Sequence, residues 1–336
     1  MKAYQITRPG LDGLEMVELQ SPKPGAGQVL VRVRAASLNY RDLMVISGNY
    51  GRSPLKVPLI PLSDGAGEII EVGAAVTGFK PGDRVMGNFF PNWIDGPPGA
   101  EKQASALGGS VDGVLSQEVI WEAAATVPMP RGLSFQEAST LPCAGVTAWV
   151  GLKELGAIQK GQTVLAIGTG GVSIFALQIA KAIGCTVIVT SSSDEKLARA
   201  KKLGADHLIN YKQVPAWDAR ARELTKGAGV DHILEVGGAE TLERSVASLK
   251  SGGHLTLVGL LSGARGDIEA ARGGAKGIHA DSIYVGSAAH LQAFSTFVET
   301  NAIKPVVDRV FPFTEARGAY EALKAAGHFG KLVVSV

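Results

Sequence analysis

Apolar and polar residues alternate along short segments of the first 124 residues, and turns separate these segments. Residues 29–35 alternate apolar and basic side chains, which is typical of a strand with one face in solvent. Residues 67–73 and 80–85 carry further strand signals, bounded by glycines or a Pro-Gly turn. A long irregular segment follows at 88–113, and loops of this length are uncommon unless they carry function. The pattern predicts a β-rich first domain.

Near residue 145 the pattern changes, and strand signals begin to alternate with helical ones. The strand signals lie at 163–167, 186–191, 207–210, 232–236, 254–259 and 282–286. Six strands joined by right-handed crossovers predict a doubly wound parallel sheet, so the predicted fold class is α/β. An amphipathic stretch follows Ser287, and two last strands are predicted at 305–310 and 330–334.

A glycine-rich turn joins the first strand of this second region to a helix. Its residues are Gly168, Thr169, Gly170, Gly171, Val172 and Ser173. Glycines let the backbone approach a pyrophosphate, and N–H groups at a helix start favour negative charge. We interpret the turn as a dinucleotide site; the alternative is a glycine-rich turn that binds no nucleotide. After the next strand, Ser192 and Glu195 have the spacing of a capping box, and Gly204 can end that helix.

The composition is typical of a globular protein of two domains and indicates no nucleic-acid or membrane partner. A chain of 336 residues with 46% hydrophobic and 19% charged residues suggests two domains with large cores. The net charge of +2 shows no bias toward nucleic acid or membrane surfaces. Two cysteines cannot make a disulfide framework, and the N-terminus lacks the apolar core of a signal peptide. We expect a cytoplasmic protein with no nucleic-acid or membrane partner.

Several sequence blocks together resemble the medium-chain dehydrogenase/reductases, the superfamily of zinc alcohol dehydrogenases and zinc-free quinone oxidoreductases. The blocks are residues 37–42 (SLNYRD), 64–67 (DGAG), 71–73 (EVG), 79–85 (FKPGDRV), 141–148 (LPCAGVTA), 168–173 (GTGGVS) and 203–206 (LGAD). The resemblance implies a GroES-like catalytic domain at 1–124 and 288–336, and a Rossmann nucleotide-binding domain at 125–287. It also implies an NAD(P)H-dependent oxidoreductase.

The positions of the family's zinc ligands hold poor ligands in this chain. Zinc members bind the catalytic metal with a cysteine, a histidine and a second cysteine, and the resemblance places Asn39, Ser63 and Cys143 there. A catalytic zinc needs about three protein ligands. The segment 88–113 contains none of the four cysteines of the family's structural zinc site. We therefore expect no metal. Cys143 is interpreted as a small apolar residue or, alternatively, as a reactive thiol.

The second strand of the nucleotide-binding region predicts NADP(H) as the cofactor. NAD-preferring domains carry an acidic residue at the end of this strand, and Ser191 stands there instead. Ser191, Ser192 and Ser193 can donate hydrogen bonds to a 2′-phosphate, and Lys196 lies in the next helix. Alternatively, Lys196 is a solvated residue and Ser192 only a helix cap. The resemblance adds Tyr211 and Thr147 to the cofactor site.

Without a Lewis acid, hydride transfer favours an acceptor whose developing charge is delocalised, such as a quinone or an α,β-unsaturated carbonyl. By resemblance, Asn39 binds a substrate oxygen or the nicotinamide ribose, and Tyr50 faces the substrate; Tyr40 and water are other proton donors. Arg41 stands where zinc members carry a hydroxyl proton relay. The predicted substrate pocket consists of Asp64, Phe89, Trp93 and Cys143. Phe89, Phe90 and Trp93 are interpreted either as a pocket lid or as anchors of their loop.

Three functions fit these residues. The first is an NADPH-dependent, zinc-free oxidoreductase that reduces a quinone, an enone or another small carbonyl compound. The second is an NAD(P)-dependent alcohol dehydrogenase or carbonyl reductase. The third is a nicotinamide-binding redox sensor or structural protein with little turnover. We also expect a homodimer, because the strand at 282–286 is predicted to form an exposed apolar edge of the nucleotide-domain sheet.

Overall fold

The computed structural model describes residues 1–50, 55–258 and 277–336, which form two compact units. The first unit combines Met1–Val146 with Val285–Val336, and the second contains Thr147–Tyr284. The predicted boundary at residue 125 differs from this division. Residues 125–146 belong with the first unit, because the strand Thr126–Pro128 pairs with Arg84–Gly87 of its main sheet.

The first unit is built around a seven-stranded sheet within the described residues. The strands of this unit are β1 Lys2–Ile6, β2 Leu14–Glu18, β3 Gln28–Ser37, β4 Asp64–Val72, β5 Arg84–Gly87, β6 Glu118–Glu122, β7 Thr126–Pro128, β14 Val307–Pro312 and β15 Lys331–Ser335. In the main sheet the order of hydrogen-bonded neighbours is β14-β15-β3-β4-β5-β7, and β6 also pairs with β3. β1 and β2 form a separate pair. In β3, Val31 and Val33 are buried while Arg32 is exposed, as the alternation predicts.

The second unit contains a six-stranded parallel sheet in its described part, with the order β10-β9-β8-β11-β12-β13. This is the doubly wound arrangement that the sequence predicts, and it confirms the fold class. The bounds are β8 Thr163–Ile167, β9 Thr186–Ser191, β10 His207–Asn210, β11 Val230–Glu235, β12 Leu249–Val258 and β13 His279–Ile283. Gly259, the predicted end of the fifth strand, lies outside the described residues.

The last strand lies at the sheet edge as predicted, but its exposed side chains are not apolar. β13 begins three residues earlier than predicted, and Ala280 and Ile283 are buried in the sheet. His279 and Ser282 are the exposed positions. The expectation of an exposed apolar edge is therefore wrong, because the apolar side chains of this strand face the core.

Helices flank both sheets. Their bounds are α1 Tyr40–Ile46, α2 Ala100–Gln103, α3 Phe135–Ala138, α4 Val146–Trp149, α5 Gly171–Ile183, α6 Asp194–Lys202, α7 Trp217–Leu224, α8 Ala239–Ser248, α9 Ala288–Thr300 and α10 Ala316–Lys324. Wider helical turns at Leu141–Gly145 and Val150–Leu155 extend α4 at both ends. The cap of α6 is Ser193 and not Ser192, since the Ser193 hydroxyl accepts from the Lys196 N–H. Gly204 follows this helix in the left-handed region, at φ +99°.

The irregular segment 88–113 is held to the first unit by aromatic side chains. Phe89, Phe90 and Trp93 are buried, with Phe89 and Phe90 packed edge to face, and the Trp93 indole donates to the Gly96 carbonyl at 2.9 Å. Their burial supports the interpretation as anchors over that of a lid. No helix among the described residues is both long and apolar enough to span a membrane.

Candidate active site

The glycine turn after β8 leaves room for a phosphate group against backbone. Gly168 has φ +74°, and a Cβ added at Gly168 or Gly170 would meet no atom within 4 Å. The 13-residue helix α5 starts at Gly171, so its first N–H groups have no partner within the helix. Ser173 is buried and its hydroxyl donates to the Ile167 carbonyl at 2.6 Å, which fixes the helix against the strand. These features fit a dinucleotide pyrophosphate.

The ends of β9 and β10 bring four predicted cofactor residues into one region. Ser191 Oγ accepts from the Ser193 N–H at 3.3 Å, and Ser193 Oγ accepts from the Lys196 N–H at 3.3 Å. The Tyr211 N–H donates to the Ser191 carbonyl at 3.1 Å, and the Tyr211 side chain is exposed. Because both serine hydroxyls accept in these bonds, their protons remain available to a phosphate oxygen.

One acidic residue in this region was not anticipated from the sequence. Asp194 begins α6, directly after the serines, where a carboxylate would repel a 2′-phosphate. Its two oxygens instead accept from the side-chain amides of Asn210 at 2.7 Å and Gln213 at 2.8 Å. The amides turn the carboxylate toward β10 and its following turn.

A second unanticipated residue is Glu235, which lies buried at the end of β11. Its carboxylate accepts from the Gly237 and Gly238 N–H groups at 2.6 and 3.0 Å, and from the hydroxyls of Thr241 and Ser245. The carboxylate therefore shapes the turn beside β8. The signal in the sequence was a glutamate followed by Val-Gly-Gly at a strand end. Thr147, predicted to bind cofactor, is buried at the start of the second unit.

In the first unit, the start of α1 places the predicted catalytic asparagine in a buried polar cluster. Asn39 precedes the helix, and its N–H donates to Asp42 Oδ2 at 2.7 Å. Asn39 and Arg41 are each 8% exposed, whereas Tyr40 is 55% exposed. The Tyr40 side chain is therefore largely exposed and lies outside the buried cluster.

Lys331, from β15, is the main residue of the cluster that the sequence did not reveal. It is 4% exposed, and its ammonium donates to the Leu38 carbonyl and to Asn39 Oδ1. With Oδ1 accepting, the Asn39 amide is left with Nδ2 as a donor. Nδ2 makes no hydrogen bond of ordinary geometry among the described residues, but the amide lies close enough to Asp64 to favour its charged form and so oppose the rise in the pKa of that carboxyl. Lys331 stands 292 positions away from Asn39, so only the fold brings them together.

The three positions that match the family's zinc ligands meet around Asp64. The Ser63 hydroxyl donates to Asp64 Oδ1 at 2.7 Å, and the Cys143 N–H donates to Asp64 Oδ2 at 3.2 Å. This donor set is an amide, a hydroxyl, a thiol and one hydrogen-bonded carboxylate, with the Lys331 ammonium already beside Asn39. The set does not fit zinc, which takes cysteine, histidine or carboxylate ligands. Within the described ranges, no three such residues converge on a metal position.

Burial sets the protonation of the cluster. It raises the pKa of Asp64, although the Lys331 ammonium opposes that shift. It also raises the pKa of Asp42 to about 6, against the lowering effect of Arg41. Burial raises the pKa of the Cys143 thiol, and the charge of Asp64 raises it further by a smaller amount, so Cys143 remains a neutral thiol. This supports its interpretation as a small apolar residue over that of a reactive thiol.

Arg41 lies between two aromatic rings of the predicted substrate pocket. Its guanidinium carbon is 5.2 Å from the centre of the Tyr50 ring and 4.7 Å from that of Phe89. The Tyr50 hydroxyl is buried and has no hydrogen-bond partner within the described part of the chain. The fold thus brings Tyr50, Phe89 and Arg41 together, in the same unit as Asn39, Asp64 and Cys143.

Known proteins resemble the chain over most of its length. Residues 25–131 match the alcohol dehydrogenase GroES-like domain, and residues 171–300 match the zinc-binding dehydrogenase family. A zinc-type alcohol dehydrogenase-like protein of Schizosaccharomyces pombe is 45% identical over 334 residues, which cover 97% of this chain and 96% of the relative. An acryloyl-coenzyme A reductase of Metallosphaera sedula is 35% identical over 77% of this chain and 76% of its own length. The crystal structure of an NAD-dependent alcohol dehydrogenase superposes with a TM-score of 0.90 at 33% identity, with all of both chains covered.

Proposed function

The chain belongs to the medium-chain dehydrogenase/reductase superfamily as an NAD(P)-dependent oxidoreductase, and from that premise we propose that it uses NADPH to reduce an activated C=C bond or a quinone without zinc. The observation that carries the proposal is the donor set around Asp64. Where zinc members hold a metal, this chain has an asparagine amide fixed by a buried lysine. Such a site offers an amide hydrogen bond to a developing oxyanion, with the Lys331 ammonium beside that amide.

The choice of NADPH rests on the end of β9. A neutral serine ends the strand, serine hydroxyls and Lys196 surround the following turn, and amides hold the nearby Asp194 carboxylate. Charge-assisted hydrogen bonds to a phosphate are stronger than neutral ones, so this composition favours a cofactor with a 2′-phosphate.

The reaction class follows from the missing Lewis acid. When bound, the cofactor supplies a hydride for the β carbon, and a proton at the α carbon completes the saturated ketone. Asn39 Nδ2 binds the carbonyl oxygen as negative charge develops on it, and Lys331 fixes the orientation of that amide. Tyr50 supplies the proton. An enolate or a hydroquinone anion is delocalised and needs less stabilisation from these groups than a simple alkoxide does.

A substrate comparison tests the proposed function. The metal-depleted protein is given NADPH with a quinone or an enone, and NADP+ with a primary alcohol, and the change in reduced nicotinamide absorbance is followed. We expect quinone or enone reduction and no alcohol oxidation. Alcohol oxidation alone would establish the alcohol dehydrogenase alternative. Tight NADPH binding with no turnover of any acceptor would instead favour a sensor or structural protein.

Metal analysis provides a second check on the same proposal. After extensive dialysis we expect no stoichiometric zinc, because the amide and hydroxyl around Asp64 are poor ligands. Activity should survive a chelator. Loss of activity in the chelator that is restored by zinc would contradict the proposed zinc-free reaction.

A further inference from the structure

Arg41 is a buried cation whose hydrogen-bonding capacity is largely unused. Its side chain is 8% exposed, and Nη2 donates to the Leu107 carbonyl. Nε and Nη1 have no hydrogen-bond partner among the described residues. A buried donor without a partner is costly, and a buried charge is more so. Such a group calls for a partner that the described residues do not supply.

The nearest carboxylate does not supply that partner. Asp42 Oδ1 lies 3.6 Å from Arg41 Nη2, beyond hydrogen-bond distance, and Asp42 Oδ2 accepts from the Asn39 N–H. Asp64 accepts from Ser63 and Cys143 instead. Asp42 Oδ1 therefore forms only an ion pair with Nη2 and no hydrogen bond, and Nε and Nη1 keep unused donors.

The guanidinium is also held rigidly. The rings of Tyr50 and Phe89 lie 5.2 and 4.7 Å from its central carbon, and a Cβ at Gly109 would come within 2.7 Å of Nη1. Stacking on aromatic rings restricts an arginine without using its N–H groups. The Tyr50 ring that stacks on Arg41 also carries a buried hydroxyl. This hydroxyl has no hydrogen-bond partner in the described residues. The site is a fixed cation next to a fixed hydroxyl.

We propose that Arg41 binds a carboxylate carried by the substrate, so that the preferred substrates are short enones bearing a carboxylate. The inference rests on the proposed function, because it names the substrate class of that same site. Guanidinium geometry matches a carboxylate, and charge-assisted bonds in a buried site discriminate strongly against a neutral analogue. Arg41 and Asn39 both act on the Asp64 carboxyl and oppose the rise in its pKa, which places them in one small cluster, so one small molecule can present its carboxylate to Arg41 and its reducible carbonyl to Asn39.

A matched pair of substrates tests this with the unmodified protein. The pair is trans-acetylacrylate, an enone with a carboxylate, and its methyl ester. The ester is the more electron-poor alkene, so chemistry alone favours its reduction. We expect kcat/KM for the acid to exceed that for the ester by about tenfold or more, mainly through KM. Equal values, or a preference for the ester, would overturn the proposal.

Variants assign the preference to Arg41. The double variant Arg41→Met with Asp42→Asn removes one charge of each sign, and circular dichroism checks that it folds. Its acid-to-ester ratio of kcat/KM should fall to about one or below, while Asp42→Asn alone should keep or raise the preference for the acid, because it removes the carboxylate that pairs with Arg41. Arg41→Lys should retain part of the preference. A double variant with the wild-type ratio would show that Arg41 does not recognise the carboxylate.

Binding without turnover separates this inference from the proposed function. Levulinate and methyl levulinate, the saturated products of the two enones, are titrated calorimetrically into the protein with NADP+. We expect levulinate to bind about tenfold more tightly than its ester, and the double variant to lose the difference. If this holds while no enone is reduced, the proposed function fails and the carboxylate site stands. If kcat/KM is equal for the two enones and the double variant binds levulinate as tightly as the wild type does, the proposed carboxylate site is wrong and the proposed function stands.

Discussion

Four charged residues are buried together in the first unit, and their signs balance. Arg41 and Lys331 are the cations, Asp42 and Asp64 the anions, and none is more than 8% exposed. Replacing buried ion pairs with apolar residues is often neutral or stabilising, so stability alone is a weak reason for such a cluster. Their contacts with Asn39, the Cys143 N–H and Tyr50 give the four charges a role in arranging the reaction site.

Lys331 is predicted to act through Asn39. Lys331→Met should lower kcat for an enone by about 100-fold, because the Asn39 amide loses its fixed orientation at the developing oxyanion. Lys331→Arg should recover part of kcat, and Lys324→Met, an exposed lysine on α10, should change nothing. Steady-state kinetics separate kcat from KM, and a fluorescence titration measures NADPH affinity. A Lys331→Met protein that folds and keeps its kcat would rule out this positioning role.

Asp42 should make the folding stability depend on pH. Its pKa rises from 3.8 to about 6 on folding, because of burial. The folded state therefore binds the proton more tightly, and this stabilisation is present at low pH and lost as pH rises through about 6. Between about pH 4 and pH 7, the free energy of unfolding of the wild type should fall by up to about 3 kcal/mol relative to that of Asp42→Asn.

Urea unfolding at several pH values measures this difference. The exposed substitution Asp12→Asn is the control for the same change of side chain at the surface. A pH-independent difference between wild type and Asp42→Asn would mean that Asp42 does not titrate in this range.

At the scale of elements, we predict that a strand end and the start of the next helix select the cofactor. The turn between β9 and α6 carries the three serines, and α6 carries Lys196 in its first turn. A helix start with neutral donors and a nearby cation suits a phosphate. The segment 88–113, which contains no cysteine, is closed by hydrogen bonds. Its Lys102 ammonium donates to the carbonyls of Asp95 and Pro97 at 2.9 and 2.8 Å, and so closes the loop without cysteines.

Lys196 should distinguish the two nicotinamide cofactors. A charge-assisted hydrogen bond contributes about 1.5–3 kcal/mol, less where solvent reaches it, so Lys196→Ala should weaken NADPH binding by about tenfold. NADH affinity should change little. Lys202→Ala, at the other end of α6, is the matched control. Calorimetric titration of both cofactors gives the comparison; equal losses for NADPH and NADH would show that Lys196 does not contact the 2′-phosphate.

At the scale of the molecule, the open edge of the second unit's sheet concerns assembly. β13 ends the sheet, so the outer backbone groups of this strand lack a strand partner among the described residues. Its exposed side chains are His279 and Ser282. Pairing of two copies across a two-fold axis would therefore use backbone hydrogen bonds more than apolar contacts.

We predict a homodimer formed through this edge. Light scattering at micromolar concentration should give the mass of two chains, and Ser282→Lys should shift the equilibrium toward one chain by placing like charges across the axis. Asp12→Lys, which changes charge in the first unit, should leave the mass unchanged. A wild-type protein that is monomeric at this concentration would contradict the prediction.

The sequence by itself determined the fold class and the cofactor turn. Both depend on local patterns: the period of apolar residues, glycines where the backbone needs positive φ, and the residue that ends a strand. The doubly wound parallel sheet of the second unit and the turn at Gly168 follow from these patterns and match the structure. The residue types at Asn39, Ser63 and Cys143 were also enough to argue against zinc.

Only the tertiary structure decided what surrounds Asn39. Lys331 comes from a strand at the far end of the chain, and Arg41 gains its aromatic neighbours from separate segments. The burial of Phe89 and Trp93, and the inward face of β13, were likewise outside the reach of local patterns. Periodicity reports whether a residue faces a core, but not which distant residue it meets there. A buried charge takes its role from those neighbours, because burial and pairing set its energy.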